Sequence, residues 1–142
     1  DNNRIFVTVG NNPEDRGVLL EAPGSGIMTT LERSLCTDFA TVRLEGLRAS
    51  LDSGFRALGI AKVTSFEHQD ATIRIEIELM SLIDLERKLR ELAPRLSANL
   101  GTPVTSAAAA SVSKATGKYV RIRNTLLDLS ARKISMTLEP AA

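Results

Sequence analysis

The chain has 142 residues, with 18 basic and 17 acidic side chains, one cysteine and one histidine. One cysteine excludes a disulfide framework, and one histidine excludes a histidine-rich metal triad, so we expect no metal and no cofactor. A net charge of +1 argues against nucleic-acid binding by bulk electrostatics, and the length suits one domain with a single core.

The apolar runs and the N-terminal residues predict the compartment. No run approaches the ~20 residues that a bilayer-spanning helix needs. Residues 1–4 and the short apolar stretch after them do not fit a signal peptide, so we expect a cytoplasmic protein without membrane contact. The single cysteine, Cys36, lies in an apolar, helix-like segment, and we expect it to be a small buried hydrophobe.

Residues 1–26 predict an N-terminal β-hairpin arm. Residues 4–9 alternate and predict one strand, and residues 18–22 predict its partner after a turn-rich stretch at residues 10–17. Phe6 and Leu19 point away from the main apolar face of this hairpin. Both faces then need cover, from the chain's own helices or from a second subunit. We therefore expect a homo-oligomer, with a dimer favoured.

Apolar residues at steps of three or four predict a helix over residues 27–58, with a break or kink at Gly46. Partial alternation leaves a short strand over residues 39–44 as the alternative. Ser25 is a candidate N-cap for this helix, and Gly59 is the predicted glycine after its end.

Two hairpins follow from alternation in the rest of the chain. Strands are predicted at residues 61–67 and 71–79, joined by a turn at residues 68–70. Strict alternation over residues 71–79 is typical of an antiparallel sheet with one buried face. A last hairpin is predicted around a turn at residues 127–132.

Two more helices are predicted between these hairpins. Ser81 and Asp84 resemble a capping box for the first, which runs to about residue 98. Its stripe of leucines is expected to face the core: Leu82, Leu85, Leu89, Leu92 and Leu96. Thr105 or Ser106 is expected to cap the second, a helix of small residues that ends at Gly117 and is also expected to be core.

These elements predict an α+β protein in which an antiparallel sheet of hairpins packs against helices. We expect one structural domain, with the arm at residues 1–26 and an α+β domain at residues 27–142. Its halves, 27–80 and 81–142, each consist of helix, helix and hairpin. Small residues match at a constant offset, and this predicts an internal αββ repeat; chance recurrence of a common unit is the alternative.

A basic strand near the C-terminus is the first candidate site. Tyr119, Arg121 and Arg123 are predicted to share one strand face, with Lys118 beside them. An aromatic side chain between arginines on a sheet is how some single-strand binders stack a base and hold its phosphate. The basic C-terminus could thus contact RNA or another polyanion.

A solvated strand face is the alternative interpretation of these basic residues. Glu76 and Glu78 could then lie across the sheet from Arg121 and Arg123 and pair with them.

Two further clusters have the residue types of functional sites. His68 lies between two carboxylates, Glu67 and Asp70, and is a weak candidate for acid–base work; a polar turn is the alternative. No nucleophile is adjacent, so no catalytic residue is assigned. Residues 24–26 precede a helix and could bind a phosphate through backbone N–H groups, or serve only as a turn and cap.

The C-terminal part resembles the 4-vinyl-reductase type domain. The resemblance rests on Thr102-Pro103-Val104, the helix of small residues, Gly117-Lys118-Tyr119-Val120 and the closing hairpin. It implies a dimeric domain that senses small molecules or binds hydrocarbons. The cysteines of that family are absent, since Val104, Leu127 and Lys133 stand near their places, so no metal or redox role is carried over.

We therefore expect a non-enzymatic module that self-associates or senses a ligand, with a small apolar ligand as a candidate partner. One alternative is RNA or polyanion binding through Lys118, Tyr119, Arg121 and Arg123. Another is a small enzyme that uses His68.

Overall fold

A computed structural model describes residues 4–8, 17–21 and 23–141 of the chain. The elements in chain order are β1 (Arg4–Thr8), β2 (Gly17–Glu21), α1 (Ser25–Leu35), a 3₁₀ turn (Phe39–Thr41), α2 (Leu44–Ala57), β3 (Ala61–Gln69), β4 (Thr72–Leu79), α3 (Ile83–Leu92), α4 (Pro94–Leu100), α5 (Pro103–Thr116), β5 (Val120–Asp128) and β6 (Lys133–Pro140). The predicted α+β class is confirmed. None of the described helices is long and apolar enough to cross a membrane.

Strands β1 and β2 form the predicted N-terminal hairpin as a separate two-stranded sheet. They are antiparallel, with Ile5 opposite Leu20 and Phe6 opposite Leu19. Most of the turn predicted at residues 10–17 lies outside the described residues.

Strands β3 to β6 form one antiparallel sheet in the order β3-β4-β6-β5, so the two hairpins join through β4 and β6. Alternate residues of the two central strands fill the core under the helices: Ile73, Ile75, Ile77, Leu79, Ile134, Met136 and Leu138. The antiparallel sheet with one buried face is thereby confirmed. The first half has two helices and a 3₁₀ turn before its hairpin and the second half has three helices, so the internal αββ repeat is not confirmed.

The strand order gives charge pairs that differ from those expected from the sequence. Strand β6 lies between β4 and β5, so the expected pairing of Glu76 and Glu78 with Arg121 and Arg123 is wrong. Glu76 pairs instead with Lys133 on β6, at 3.6 Å from carboxylate to Nζ. Arg123 has its guanidinium 3.9 Å from the carboxylate of Glu139, also on β6.

The helix predicted over residues 27–58 is interrupted by the 3₁₀ turn. Gly46 lies inside α2, so the predicted kink at Gly46 is wrong, and so is the alternative strand over residues 39–44. Phe39 is fully buried, and its N–H donates to Glu32 Oε2 at 2.8 Å. Because the turn also places an apolar side chain in the core, the helical spacing continues across the break.

Cys36 caps the C-terminal end of α1. It adopts a left-handed conformation with φ of 50° and is exposed. The prediction that Cys36 is a buried hydrophobe is therefore wrong, because the residue lies beyond the last turn that packs on the core.

Glycines mark the C-terminal ends of α2 and α5, as predicted. Gly59 follows the C-cap of α2 with φ of +68°, and Gly117 caps α5 with φ of +69°. Residues other than glycine rarely adopt this conformation, so it suits the ends of helices.

The predicted N-caps are wrong at all three helices. Gly24, not Ser25, precedes α1, and Thr102, not Thr105 or Ser106, caps α5. Thr105 completes a capping box with Thr102 instead. Helix α3 begins after Leu82 without a side-chain cap. The hydroxyl of Ser81 is used elsewhere, donating to the carbonyl of Gly59 at 2.9 Å.

Helix α5 lies at the centre of the domain and is buried over residues 104–113. Its predicted core position is confirmed. It contacts α1, α2, the 3₁₀ turn and the sheet. The alanines and serines of this helix allow close neighbours on several sides, since a short side chain lets two backbones approach.

Gly24 makes the closest approach to α5. Its N–H donates to Ser106 Oγ at 2.9 Å. A Cβ at this position would lie 2.6 Å from the carbonyl oxygen of Pro103 and would also clash with the backbone nitrogen of Ala107. The glycine before α1 is therefore required by packing.

Candidate functional site

The predicted leucine stripe lies on the surface, so its expected place in the core is wrong. We call it the leucine face: Leu82, Leu85, Leu89, Leu92 and Leu96. Leu89 is half-buried, and the other four are exposed, with 83% of Leu92 and 61% of Leu96 accessible to solvent. Helix α3 also ends at Leu92, because Pro94 begins a new helix, α4.

Helix α3 turns a polar side chain inward. Glu86 is fully buried, and its Oε1 accepts a hydrogen bond from the N–H of Val104 at 3.1 Å. This N–H belongs to the first turn of α5, where the helix dipole and the unpaired backbone donors favour a negative charge. Burial raises the pKa of Glu86, while hydrogen bonds from Thr102 and Val104 and the charge of Arg90 act in the opposite direction.

Arg90 lies one turn further along the same inward side of α3. Its Nε is 3.8 Å from Glu86 Oε2, and its terminal nitrogen donates to Thr125 Oγ1 on β5 at 2.8 Å. Burial lowers the pKa of Arg90, although the charge of Glu86 opposes this. On α4, the buried Ser97 donates to the carbonyl of Leu89 at 2.9 Å. These polar contacts fix the helices with the leucine face outward.

Other exposed apolar side chains come from the neighbouring segments. Among the described residues, Met80 follows β4, Leu126 is on β5 and Leu129 is in the β5–β6 turn, and all three are exposed. Single exposed apolar residues are normal on protein surfaces, whereas a contiguous apolar patch marks an interaction site.

A charged border runs along one edge of the leucine face. Arg87 lies 3.7 Å from the carboxylate of Asp84 and 3.4 Å from that of Glu91. Lys88 is exposed and forms no ion pair with a described residue. The border thus carries both signs of charge.

A cleft of about 670 Å³ lies at the opposite end of the sheet, and it unites two candidate sites that the sequence left separate. His68 and Asp70 line it from the β3–β4 hairpin, and Lys118, Tyr119 and Arg121 line it from the start of β5. Pairing of β4 with β6 brings these distant segments together. Arg123 is not in the lining; it lies at a bulge of β5, between Ile122 and Asn124.

The charges in the cleft are mixed. Asp70 and Glu139 lie in the same lining as Lys118 and Arg121. Neither Lys118 nor Arg121 forms an ion pair with a described residue, and 79% of Tyr119 is exposed.

His68 differs from its predicted placement. It is exposed on β3, opposite Ile73, rather than in the turn. Within the described part of the chain, no three metal-ligating side chains converge. A catalytic role for His68 remains a prediction.

A second cluster of charges connects α5 with α1 and with the residue before the 3₁₀ turn. Lys114 on α5 contacts Glu32 on α1 at 2.9 Å and Asp38 before the 3₁₀ turn at 3.2 Å. Burial would lower the pKa of Lys114, but hydrogen bonds to Glu32 and Asp38 outweigh it and raise that pKa. The N–H of Ala40 and the Lys114 ammonium lower the pKa of Asp38.

No family model, curated protein or solved structure matches the chain. The resemblance to the 4-vinyl-reductase type domain therefore remains a prediction.

Proposed function

We propose that the protein is an interaction module that self-associates through its leucine face. One observation carries the proposal: α3 turns the buried Glu86 and the half-buried Arg90 inward and exposes Leu85 and Leu92. A helix at the surface of a globular protein normally turns its apolar stripe to the core. A helix that does the opposite has its apolar stripe available for a partner.

A second copy of the chain is the partner that the charges favour. The border of the leucine face carries acidic and basic residues together, so two such borders can complement each other. The whole chain has a net charge of only +1, so two copies repel each other weakly. Both faces of the N-terminal hairpin are predicted to be apolar, so both need to pack against other residues. A second subunit can supply such residues.

Sedimentation equilibrium of the purified chain at micromolar concentration tests the proposal. We expect a dimer for the wild type and a monomer for Leu92→Glu, because a buried carboxylate without a partner is costly. Tyr119→Glu is the matched control, since it adds the same charge at an exposed residue at the other end of the sheet. Its dimer should be unchanged.

Two results would overturn the proposal. A wild type that stays monomeric at the highest soluble concentration has no self-association to explain. A Leu92→Glu variant that remains as dimeric as Tyr119→Glu places the contact away from the leucine face. Melting temperatures of the variants verify that each one is folded.

The cleft supports a second candidate function, the binding of a single-stranded polyanion. Lys118 and Arg121 have no ion pair with a described carboxylate, and Tyr119 stands exposed between them for stacking. Fluorescence anisotropy of a labelled single-stranded oligonucleotide at low salt tests it. Lys118→Glu/Arg121→Glu should abolish binding, and Arg33→Glu, a substitution of an exposed arginine on α1, should weaken it little. No wild-type affinity at low salt would remove this candidate.

A further inference from the structure

We infer that two copies pair through α3 in antiparallel orientation, about a two-fold axis near Leu89, with Lys88 of each copy facing the partner's Glu91. This arrangement rests on the proposed self-association and specifies its geometry. It would make α3 the centre of an isologous interface, in which the same surface of both subunits meets itself.

The leucines on α3 form a straight ridge along the helix. Leu85 and Leu92 are seven residues apart, close to two full turns, and Leu89 lies between them. The side of the ridge next to Glu86 and Arg90 is closed, because both side chains pack against α5 and β5. A partner can therefore reach only the ridge and its charged border.

The charged border selects the orientation of the partner helix. A two-fold axis perpendicular to α3 brings the borders of both copies together in reversed order. With the axis halfway between residues 88 and 91, Lys88 faces the partner's Glu91, and the two ion pairs are equivalent. A parallel pair about a two-fold axis along the helices would instead put the two charged borders on opposite sides of the interface, where Lys88 could not reach the partner's Glu91.

The same axis also suits the apolar ridge. The midpoint lies next to Leu89, so the leucines of one copy fall between those of the other when the helix direction is reversed. Ridges that fill the grooves of a facing helix are the usual mode of helix packing. Charge and shape thus favour one axis.

Lys88 is available for such a contact. It is exposed, and it forms no ion pair with any residue that the structure describes. Glu91 is three residues after Lys88, on the same side of the helix, and its carboxylate is 3.4 Å from Arg87. The pair would connect a free cation of one subunit with an ordered carboxylate of the other.

A charge-swap cycle measures the contact. Lys88→Glu and Glu91→Lys each turn two attractive contacts into two repulsive ones, and we expect each to raise the dimer dissociation constant about tenfold. Lys88→Glu/Glu91→Lys restores opposite charges across the axis and should return the constant to within about threefold of wild type.

A cysteine cross-link tests the axis by distance. In a Cys36→Ser background, Leu89→Cys places two thiols beside the axis, and mild oxidation should link the dimer. Leu82→Cys places its thiols at the far ends of the pair and should give little cross-linked dimer. Circular dichroism and melting curves verify the fold of each variant.

The results separate this inference from the proposed function. The antiparallel arrangement alone is overturned by three results together. Leu92→Glu dissociates the dimer, the double charge swap does not restore the wild-type dissociation constant, and Leu82→Cys cross-links better than Leu89→Cys. A wild type that remains monomeric overturns both. Restoration by the swap with cross-linking at Leu89→Cys supports both.

Discussion

The carboxylate of Glu86 accepts a hydrogen bond from the N–H of Val104, so a buried acid on α3 caps the first turn of α5. This contact joins a helix near the surface to the most buried helix of the domain. The inward side of α3 thus carries a glutamate, whereas the sequence pattern predicted that leucines would face the core. The orientation of α3, and with it the exposure of the leucine face, depends on this acid.

Removal of the Glu86 carboxylate should destabilise the fold. Glu86→Ala leaves the N–H of Val104 and the half-buried Arg90 without their partner, and we expect a loss of about 3 kcal/mol in the free energy of unfolding. Chemical denaturation measures it. A loss below about 1 kcal/mol would contradict the role of Glu86 as an internal cap.

The raised pKa of Glu86 predicts how stability depends on pH. An acid whose pKa is higher in the folded state binds its proton more tightly there. Its contribution is therefore fully present below the ordinary value of 4.5 and is lost as pH rises through the raised value. Glu86→Gln keeps an acceptor without the charge and should remove this loss. The check is the free energy of unfolding as a function of pH, and equal curves for both proteins would refute it.

The Lys114 cluster should act at the two ends of the pH scale. The raised pKa of Lys114 gives stability that is present below 10.5 and lost as pH rises through the folded value. The lowered pKa of Asp38 gives stability that is present above 3.8 and lost as pH falls through the folded value. Lys114→Met should cost about 1–2 kcal/mol at neutral pH and flatten the alkaline limb of the curve. An unchanged alkaline limb would be the contrary result.

Gly24→Ala tests the close approach of α1 to α5. The added methyl group would meet the carbonyl oxygen of Pro103 and the backbone nitrogen of Ala107, neither of which can rotate away. We expect a loss of about 1–3 kcal/mol, as for other overpacked sites. Gly26→Ala is the matched control, because a Cβ there meets nothing. Equal effects of both substitutions would contradict the packing at Gly24.

The leucine face and the core should differ in thermal and chemical stability tests. At a dilution where the chain is monomeric, Leu92→Lys should change the free energy of unfolding by no more than about 0.5 kcal/mol. Ile75→Ala, in the centre of the sheet, should cost about 2–5 kcal/mol. A large loss for Leu92→Lys would mean that Leu92 packs against its own chain.

Alternation predicted the sheet correctly because it is a local signal. Ile73, Ile75 and Ile77 face one way on any strand, whatever that strand pairs with. Helical periodicity was less informative, since it reveals an apolar stripe but not whether the stripe faces the core. The partner that turns α3, the N–H of Val104, is 18 residues away from Glu86 in the chain. The single helix predicted over residues 27–58 was wrong for the same reason. Phe39 is buried in the 3₁₀ turn between α1 and α2, so apolar residues keep a helical spacing where the helix is interrupted.

The sequence predicted several residues of the cleft as candidate sites but did not predict that they lie together. Tyr119 and Arg121 were recognised from their spacing, and His68 from its carboxylate neighbours. Nothing local indicated that these segments meet, because the pairing of β4 with β6 that joins them is a long-range contact.

The inward position of Glu86 also bears on how the chain can vary. Since a carboxylate and an arginine hold α3 in place, the exposed leucines Leu85 and Leu92 contribute little to the stability of the monomer. Substitutions there would leave the monomer intact and would change solubility and assembly with concentration. Defects of this kind escape a stability screen on dilute protein and emerge only when the chain is crowded with its own copies.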